Sequence, residues 1–126
     1  MPTEATPLPE QLGFTTTWFD LPGLRMHAAT AGPADGPLVV LLHGFPEFWY
    51  SWRHQIAPLA AAGYRGVVPD QRGYNLTDKT PPYDINTLSD DIGHLLDACG
   101  AEKAFIVGHD WGGAVSWAFT MRYPER

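Results

Sequence analysis

The sequence has a single cysteine, Cys99, few positive charges and no long apolar run. A lone cysteine excludes an intrachain disulfide and a thiolate metal cage. Eight Lys and Arg residues lie scattered among fourteen Asp and Glu residues, for a net charge of -6. A binder of phosphate backbones or anionic lipid would gather its basic side chains on one face, so neither nucleic acid nor membrane is expected as a partner. The longest apolar stretch, Leu38 to Leu42, falls far below the roughly 20 residues that span a bilayer. Met1 to Gln11 shows neither the basic nor the apolar region of a secretory signal, and a soluble, cytoplasmic protein is the expectation. No metal site is expected either, because His27, His54 and His94 lack ligand spacing. Nor is a cofactor, since the glycines do not follow the G-x-G-x-x-G pattern of a dinucleotide loop.

What is present points to one packed domain. Five Trp, five Tyr and six Phe in 126 residues are more large apolar side chains than a disordered chain carries. Residues 1–13 are Pro-rich and read as a flexible leader, leaving 14–126 as the folded part. Phe14–Asp20 and Leu24–Ala29, parted by Leu21-Pro22-Gly23, read as a hairpin of strands. Leu38–Leu42 is an unalternated apolar run that needs cover on both faces, as in a parallel sheet. Phe48–Ala62 carries apolar residues at helical spacing and ends at Gly63, although Pro58 should kink it or stop it early. Tyr64–Pro69 is a further strand. Asp84–Cys99 is the clearest amphipathic helix, with Asp84 as N-cap, the stripe Ile85, Leu88, Ile92, Leu95, Leu96, Cys99, and Gly100 as terminator. Ala104–Val107 is a third buried-type strand, and a last helix runs from about Trp111 to Tyr123. The alternation of strand and helix predicts an α/β fold, a mostly parallel sheet with helices on both faces.

The turn between the last strand and helix carries the chemistry. Gly108-His109-Asp110-Trp111-Gly112-Gly113 must reverse direction within a couple of residues. Such a bend holds its middle residue in a strained conformation with the side chain thrown outward, and small neighbours let the helix fold back on the strand. Asp110 stands where an esterase would carry Ser. A simpler alternative makes Asp110 an N-cap and the glycines packing residues. The second motif, His43-Gly44-Phe45-Pro46-Glu47, follows the first buried strand. Backbone N–H groups of Phe45 in this loop and of Trp111 after the nucleophile can converge on one oxygen, an oxyanion hole. Pro46 is a candidate for a cis peptide bond. Pro46 and Trp49 are candidate substrate-binding residues, with core packing the alternative for Trp49 and the stronger reading for Trp52. Asp70, Arg72 and Gly73 are read as bracing a loop, and His43 and His109 as shaping the loops that flank the site.

HGFPE, the stretch WYSWRHQIAPLAAAGYRGVVPDQRGYNLTDK, and GHDWGGAVSWAFTMRYPER together resemble the epoxide hydrolase branch of the α/β-hydrolase superfamily, from about Thr16 to the last residue. The resemblance implies an α/β-hydrolase fold with Asp110 as nucleophile and the backbone N–H groups of Phe45 and Trp111 as the oxyanion hole. It implies a small-molecule epoxide as substrate, opened to an alkyl ester on Asp110 and then hydrolysed to a diol. A carboxylate is already ionised at neutral pH and attacks without a base, which suits displacement at a strained saturated carbon. Haloalkane dehalogenases share the Asp and often the Trp after it, but many carry a side-chain halide donor where this chain has Phe45. That favours the epoxide.

Members of that branch are more than twice this length. Their helical cap with two tyrosines, their charge-relay acid and their late histidine would all lie beyond a position matching Arg126, so 14–126 reads as the N-terminal half of a core domain, cut after the nucleophile-elbow helix. No residue here matches those roles, Tyr74, Tyr83 and His94 included. Turnover by this chain alone is therefore in doubt. The strand ending at Val107 becomes an open edge, which invites self-association or completion by another chain. A non-catalytic fragment or interaction module is the reading from a different class.

Overall fold

The computed structural model describes residues 15–126. The leader read at 1–13, and Phe14 at the head of the first expected strand, lie outside the described residues. Strands β1 (Thr15–Leu21) and β2 (Leu24–Ala31) form the expected antiparallel hairpin, with Pro22 and Gly23 between them. Strands β3 (Leu38–Leu42), β4 (Arg65–Pro69) and β5 (Phe105–Gly108) complete a five-stranded sheet in the order β1-β2-β4-β3-β5. β3 runs parallel to β4 and β5, and β2 is antiparallel to β1 and β4, so four of the five strands point one way.

β3 shows why its run of apolar residues has no polar alternation. Leu38, Val40 and Leu42 face α2 (Ile85–Ala98) and α3 (Trp111–Arg122), while Val39 and Leu41 face a 3-10 turn (Trp49–Trp52) and α1 (Arg53–Ala61). Both faces of this strand are dry. On α2 the Asp84 carboxylate accepts the Thr87 N–H at 3.1 Å, the capping bond expected from the sequence. Leu88, Ile92, Leu95 and Leu96 then bury the apolar stripe against the sheet and α3.

Two expectations change. The helix read over Phe48–Ala62 divides into the 3-10 turn and α1, and Pro58 neither ends α1 nor stops it short of Ala61. Proline removes its own donor bond and crowds the carbonyl of His54, but His54 is exposed, so water can satisfy that carbonyl. Buried Ile56 anchors the helix to the sheet regardless. β5 also differs from a buried-type strand: Phe105 is 61% and Val107 42% exposed. The strand forms the edge of the sheet, and among the described residues no helix covers that face.

Candidate active site

The site lies where β3 and β5 end side by side. The His109 N–H donates to Leu42 O at 3.1 Å, so the two loops leave the sheet together. The chain then reverses at Asp110, held at φ 56° and ψ -118°. A non-glycine residue there is strained by about 1–3 kcal/mol, which the surrounding structure must offset. The Asp110 carbonyl accepts from Gly113 N–H at 3.0 Å and Ala114 N–H at 3.2 Å, starting α3. The glycines permit the approach. A Cβ on Gly108 would run into the Gly112 carbonyl, and one on Gly112 into the carbonyl of Leu42.

Asp110 occupies the N-cap position of α3, yet its side chain makes no capping bond. Instead the carboxylate reaches across to the neighbouring loop, where Phe45 N–H donates to its Oδ2 at 3.0 Å. That geometry counts against the plain capping alternative. The amide of Phe45 first, and that of Trp111 second, hold the Asp110 carboxyl below the usual carboxylate range. The group is thus ionised, outward-facing and held by the Phe45 N–H.

The Phe45 loop is fixed from beneath by His43, which is fully buried. Gln71 N–H donates to His43 Nε2 at 2.9 Å, so the ring proton sits on Nδ1 and donates to Gly44 O at 3.0 Å. The Gln71 side chain returns a bond to His43 O at 2.8 Å, and the Tyr74 ring packs edge-on at 4.7 Å. Burial lowers the pKa of His43, keeping the imidazole neutral. His43 therefore shapes the loop, as its sequence position suggests. The peptide bond between Phe45 and Pro46 is cis.

Beside Asp110 opens a cavity of about 700 Å³, lined by Phe45, Asp110, Trp111, Tyr74, Tyr83 and Leu88. Arg72, Gly73 and Ala114 complete it. Burial first, then the Asp110 charge, raise the pKa of the Tyr74 hydroxyl. Arg72 is held in the wall by a two-pronged bond to Asp91, 2.9 Å from Nε and 2.8 Å from the terminal nitrogen, and donates to Thr80 O at 2.9 Å. That pairing raises its already high pKa. Gly73 lets Tyr83 close in, since a Cβ there would lie 2.7 Å from the tyrosine ring.

The candidate site residues thus divide. Phe45, Asp110 and Trp111 come together around the cavity. Pro46 is exposed and does not line it. Trp49 is buried in the core with Val39, Leu41, Ile56 and Val68, and its N–H donates to Asp70 at 2.8 Å. Asp70 itself is fully buried and braces the loop as read, also bonding to the His27 ring and Asn75. His27, which lacks metal-ligand spacing in the sequence, is buried in that network. Sequence reasoning missed Tyr74 and Tyr83 as wall residues; the glycine before Tyr74 was the one available signal. Among the described residues, no group of three or more His, Cys, Asp or Glu side chains is placed to hold a metal ion, and no helix is long and apolar enough to cross a membrane.

The alpha/beta hydrolase fold family matches residues 37–126 of the chain. An AB hydrolase superfamily protein of Bacillus subtilis is 58% identical over 106 residues, covering 82% of this chain and 37% of its own length. Epoxide hydrolase B of Mycobacterium tuberculosis is 56% identical over 109 residues, covering 82% of this chain and 31% of that protein. The crystal structure of epoxide hydrolase A from Mycobacterium thermoresistibile superposes with a TM-score of 0.86 at 47% identity, over 90% of this chain and 36% of the other. The chain thus spans about a third of the length of the relatives it matches. An Asp displayed on a glycine-lined bend, gripped by the amide of the loop after β3, sits on the scaffold these proteins share, and the chain belongs to the alpha/beta hydrolase fold family, with epoxide hydrolases among its homologues.

Proposed function

We propose that Asp110 is the nucleophile of an epoxide hydrolase reaction and that this chain carries the alkylation half of it. The observation that carries the reading is the carboxylate at a positive-φ bend, uncapped, held by the Phe45 N–H at 3.0 Å and bordering a largely apolar-walled cavity. An oxygen of Asp110 attacks a ring carbon of the epoxide. The new carbon–oxygen ester bond forms as the ring carbon–oxygen bond breaks, and its electron pair passes to the ring oxygen. That alkoxide takes a proton from water, leaving hydroxide. Hydroxide then adds to the ester carbonyl, placing negative charge on the oxygen facing Phe45 and Trp111. Collapse of this intermediate releases the diol and restores the carboxylate, so one water is consumed in all. Donors aimed at such an oxyanion are worth about 3 kcal/mol each.

The aspartate is ready for the first step without help from a base, whereas among the described residues no group is assigned to activate water for the second. Styrene oxide added to the pure chain is expected to give one covalent adduct by intact mass, mapping to Asp110. Sustained diol release by the chain alone overturns the single-labelling claim. Absence of any adduct removes the nucleophile and leaves a non-catalytic module. An alkyl halide could be displaced by the same carboxylate, but Phe45 offers no side-chain N–H to a departing halide, so the epoxide is the faster label.

A further inference from the structure

Glu47 ends the loop that grips the nucleophile, and its contacts reach both arms of the site. Its N–H donates to Gly44 O at 2.8 Å, closing the turn. Its Oε1 accepts the Gly44 N–H at 3.2 Å and lies 3.5 Å from Nδ1 of His109, the residue preceding Asp110. Gly44 is the residue immediately before Phe45: its N–H is held by the Glu47 carboxylate, and its carbonyl, which shares a peptide plane with the Phe45 N–H, is held by the Glu47 N–H, so the two bonds together set the direction of the N–H that binds Asp110. The parts meet closely: a Cβ on Gly44 would stand 2.6 Å from Asp110 Cβ, 2.9 Å from Glu47 Oε1 and 3.1 Å from His109 O.

Glu47 does this from outside the substrate space. With His109, Ser51, Trp52 and Gln55 it borders a separate hollow of about 240 Å³, and neither Glu47 nor His109 lines the large cavity. The two links differ in strength. The bond to Gly44 is partly buried, whereas the His109 side chain is 72% exposed and its contact is open to water. Exposed pairs of this kind contribute little, so the Gly44 bond dominates.

We propose that Glu47 is a positioning residue whose carboxylate straps the Gly44 N–H to the nucleophile elbow and, together with its own main-chain bond to Gly44 O, aims the Phe45 N–H at Asp110. This rests on Asp110 being the nucleophile. No substrate contact is involved, so the effect falls on the rate of adduct formation and not on half-saturation by the epoxide.

The experiment compares the chain with E47Q, E47A and H109Q, reading Gly44 amide exchange by NMR and single alkylation by styrene oxide through intact mass. Loss of one charge-assisted hydrogen bond corresponds to about a tenfold change. E47A is expected to speed Gly44 exchange and slow alkylation by about that factor, with half-saturation unchanged. E47Q keeps an acceptor oxygen and recovers most of both. H109Q, which leaves the Gly44 bond intact, lowers the rate by less than E47A. A wild-type rate and wild-type Gly44 exchange in E47A overturn the proposal, as does a loss that E47Q fails to rescue. If E47A does not fold, E47Q and H109Q still decide it: an equal, large loss in both means that general packing matters and the strap does not. If the unmodified chain takes up no epoxide, the nucleophile assignment falls, while Gly44 exchange still reports on the strap.

Discussion

Phe45 and Asp110 are 65 residues apart in the chain, yet the N–H of one donates to the carboxylate of the other at 3.0 Å. The bond joins the loop after β3 to the bend after β5, and it exists only because those strands are neighbours in the sheet. Replacing Asp110 by Asn keeps the size but substitutes a neutral amide for the carboxylate proposed as nucleophile. D110N is expected to lose the styrene oxide adduct entirely while keeping a wild-type far-UV spectrum. An adduct of unchanged yield in D110N places the reactive group elsewhere.

The same bond fixes the pH response of labelling. The Phe45 and Trp111 amides favour the charged form, so the folded carboxyl lies below its ordinary value of 3.8. A group shifted this way is ionised throughout the neutral range and stays so until pH falls through the lowered folded value, where any stability gained from the amide bonds is lost as well. The labelling rate should be flat from about pH 8 to about pH 5 and decline only below the usual carboxylate range. An inflection at or above 3.8, with circular dichroism unchanged, removes the amide grip.

Gly44 tolerates no added methyl without movement, because Asp110 Cβ would be 2.6 Å from it. G44A is expected to push the loop and the elbow apart, cutting adduct formation at least tenfold and costing about 1–3 kcal/mol of stability by overpacking. Urea unfolding and intact mass read the two effects separately. Full labelling in G44A means the loop and elbow can separate freely.

Arg72 and Asp91 form a buried pair, their side chains 8% and 4% exposed. Breaking it from one side strands a charge, so R72M is expected to cost about 3–5 kcal/mol in urea unfolding. The double variant R72M with D91L removes both charges and should recover most of that loss. Equal destabilisation in the single and double variants indicates packing at Arg72, not the ion pair, as the source.

Trp117 and Met121 on α3 are 71% and 72% exposed, and β5 beside them is an open edge. Unpaired strand edges with apolar neighbours associate. Sedimentation is expected to show concentration-dependent assembly of the chain, reduced when W117K and M121K are introduced together. A monomer at all concentrations sinks this expectation.

Much of this architecture was legible because local rules and tertiary context agree. Leu38–Leu42 reads as a doubly covered strand and is one; Asp84 reads as a cap and accepts the Thr87 N–H. The elbow was legible because its glycines answer to sterics that a sequence displays. Pro58 misled because its cost is local while Ile56 holds α1 in place from the other side. Trp49 has no periodicity separating a core ring from a pocket ring, and the structure puts it under the sheet. Tyr83 reaches the cavity only through the course of an irregular loop, which no spacing rule describes.

Asp70 gathers chain segments that are remote in sequence. Its carboxylate binds Trp49 N–H, Asn75 and the His27 ring, its N–H donates to His27 O at 2.8 Å, and Thr77 bonds both its carbonyl and the His27 N–H. The segment carrying Tyr74 is therefore fastened to the hairpin as well as to its own strand. Local opening of such a region requires the hairpin to part from β4 as well, so exchange protection at residues 70–77 should rise and fall with that of β2 as one cooperative unit. The stretch of cavity wall that Tyr74 supplies consequently behaves as a fixed template.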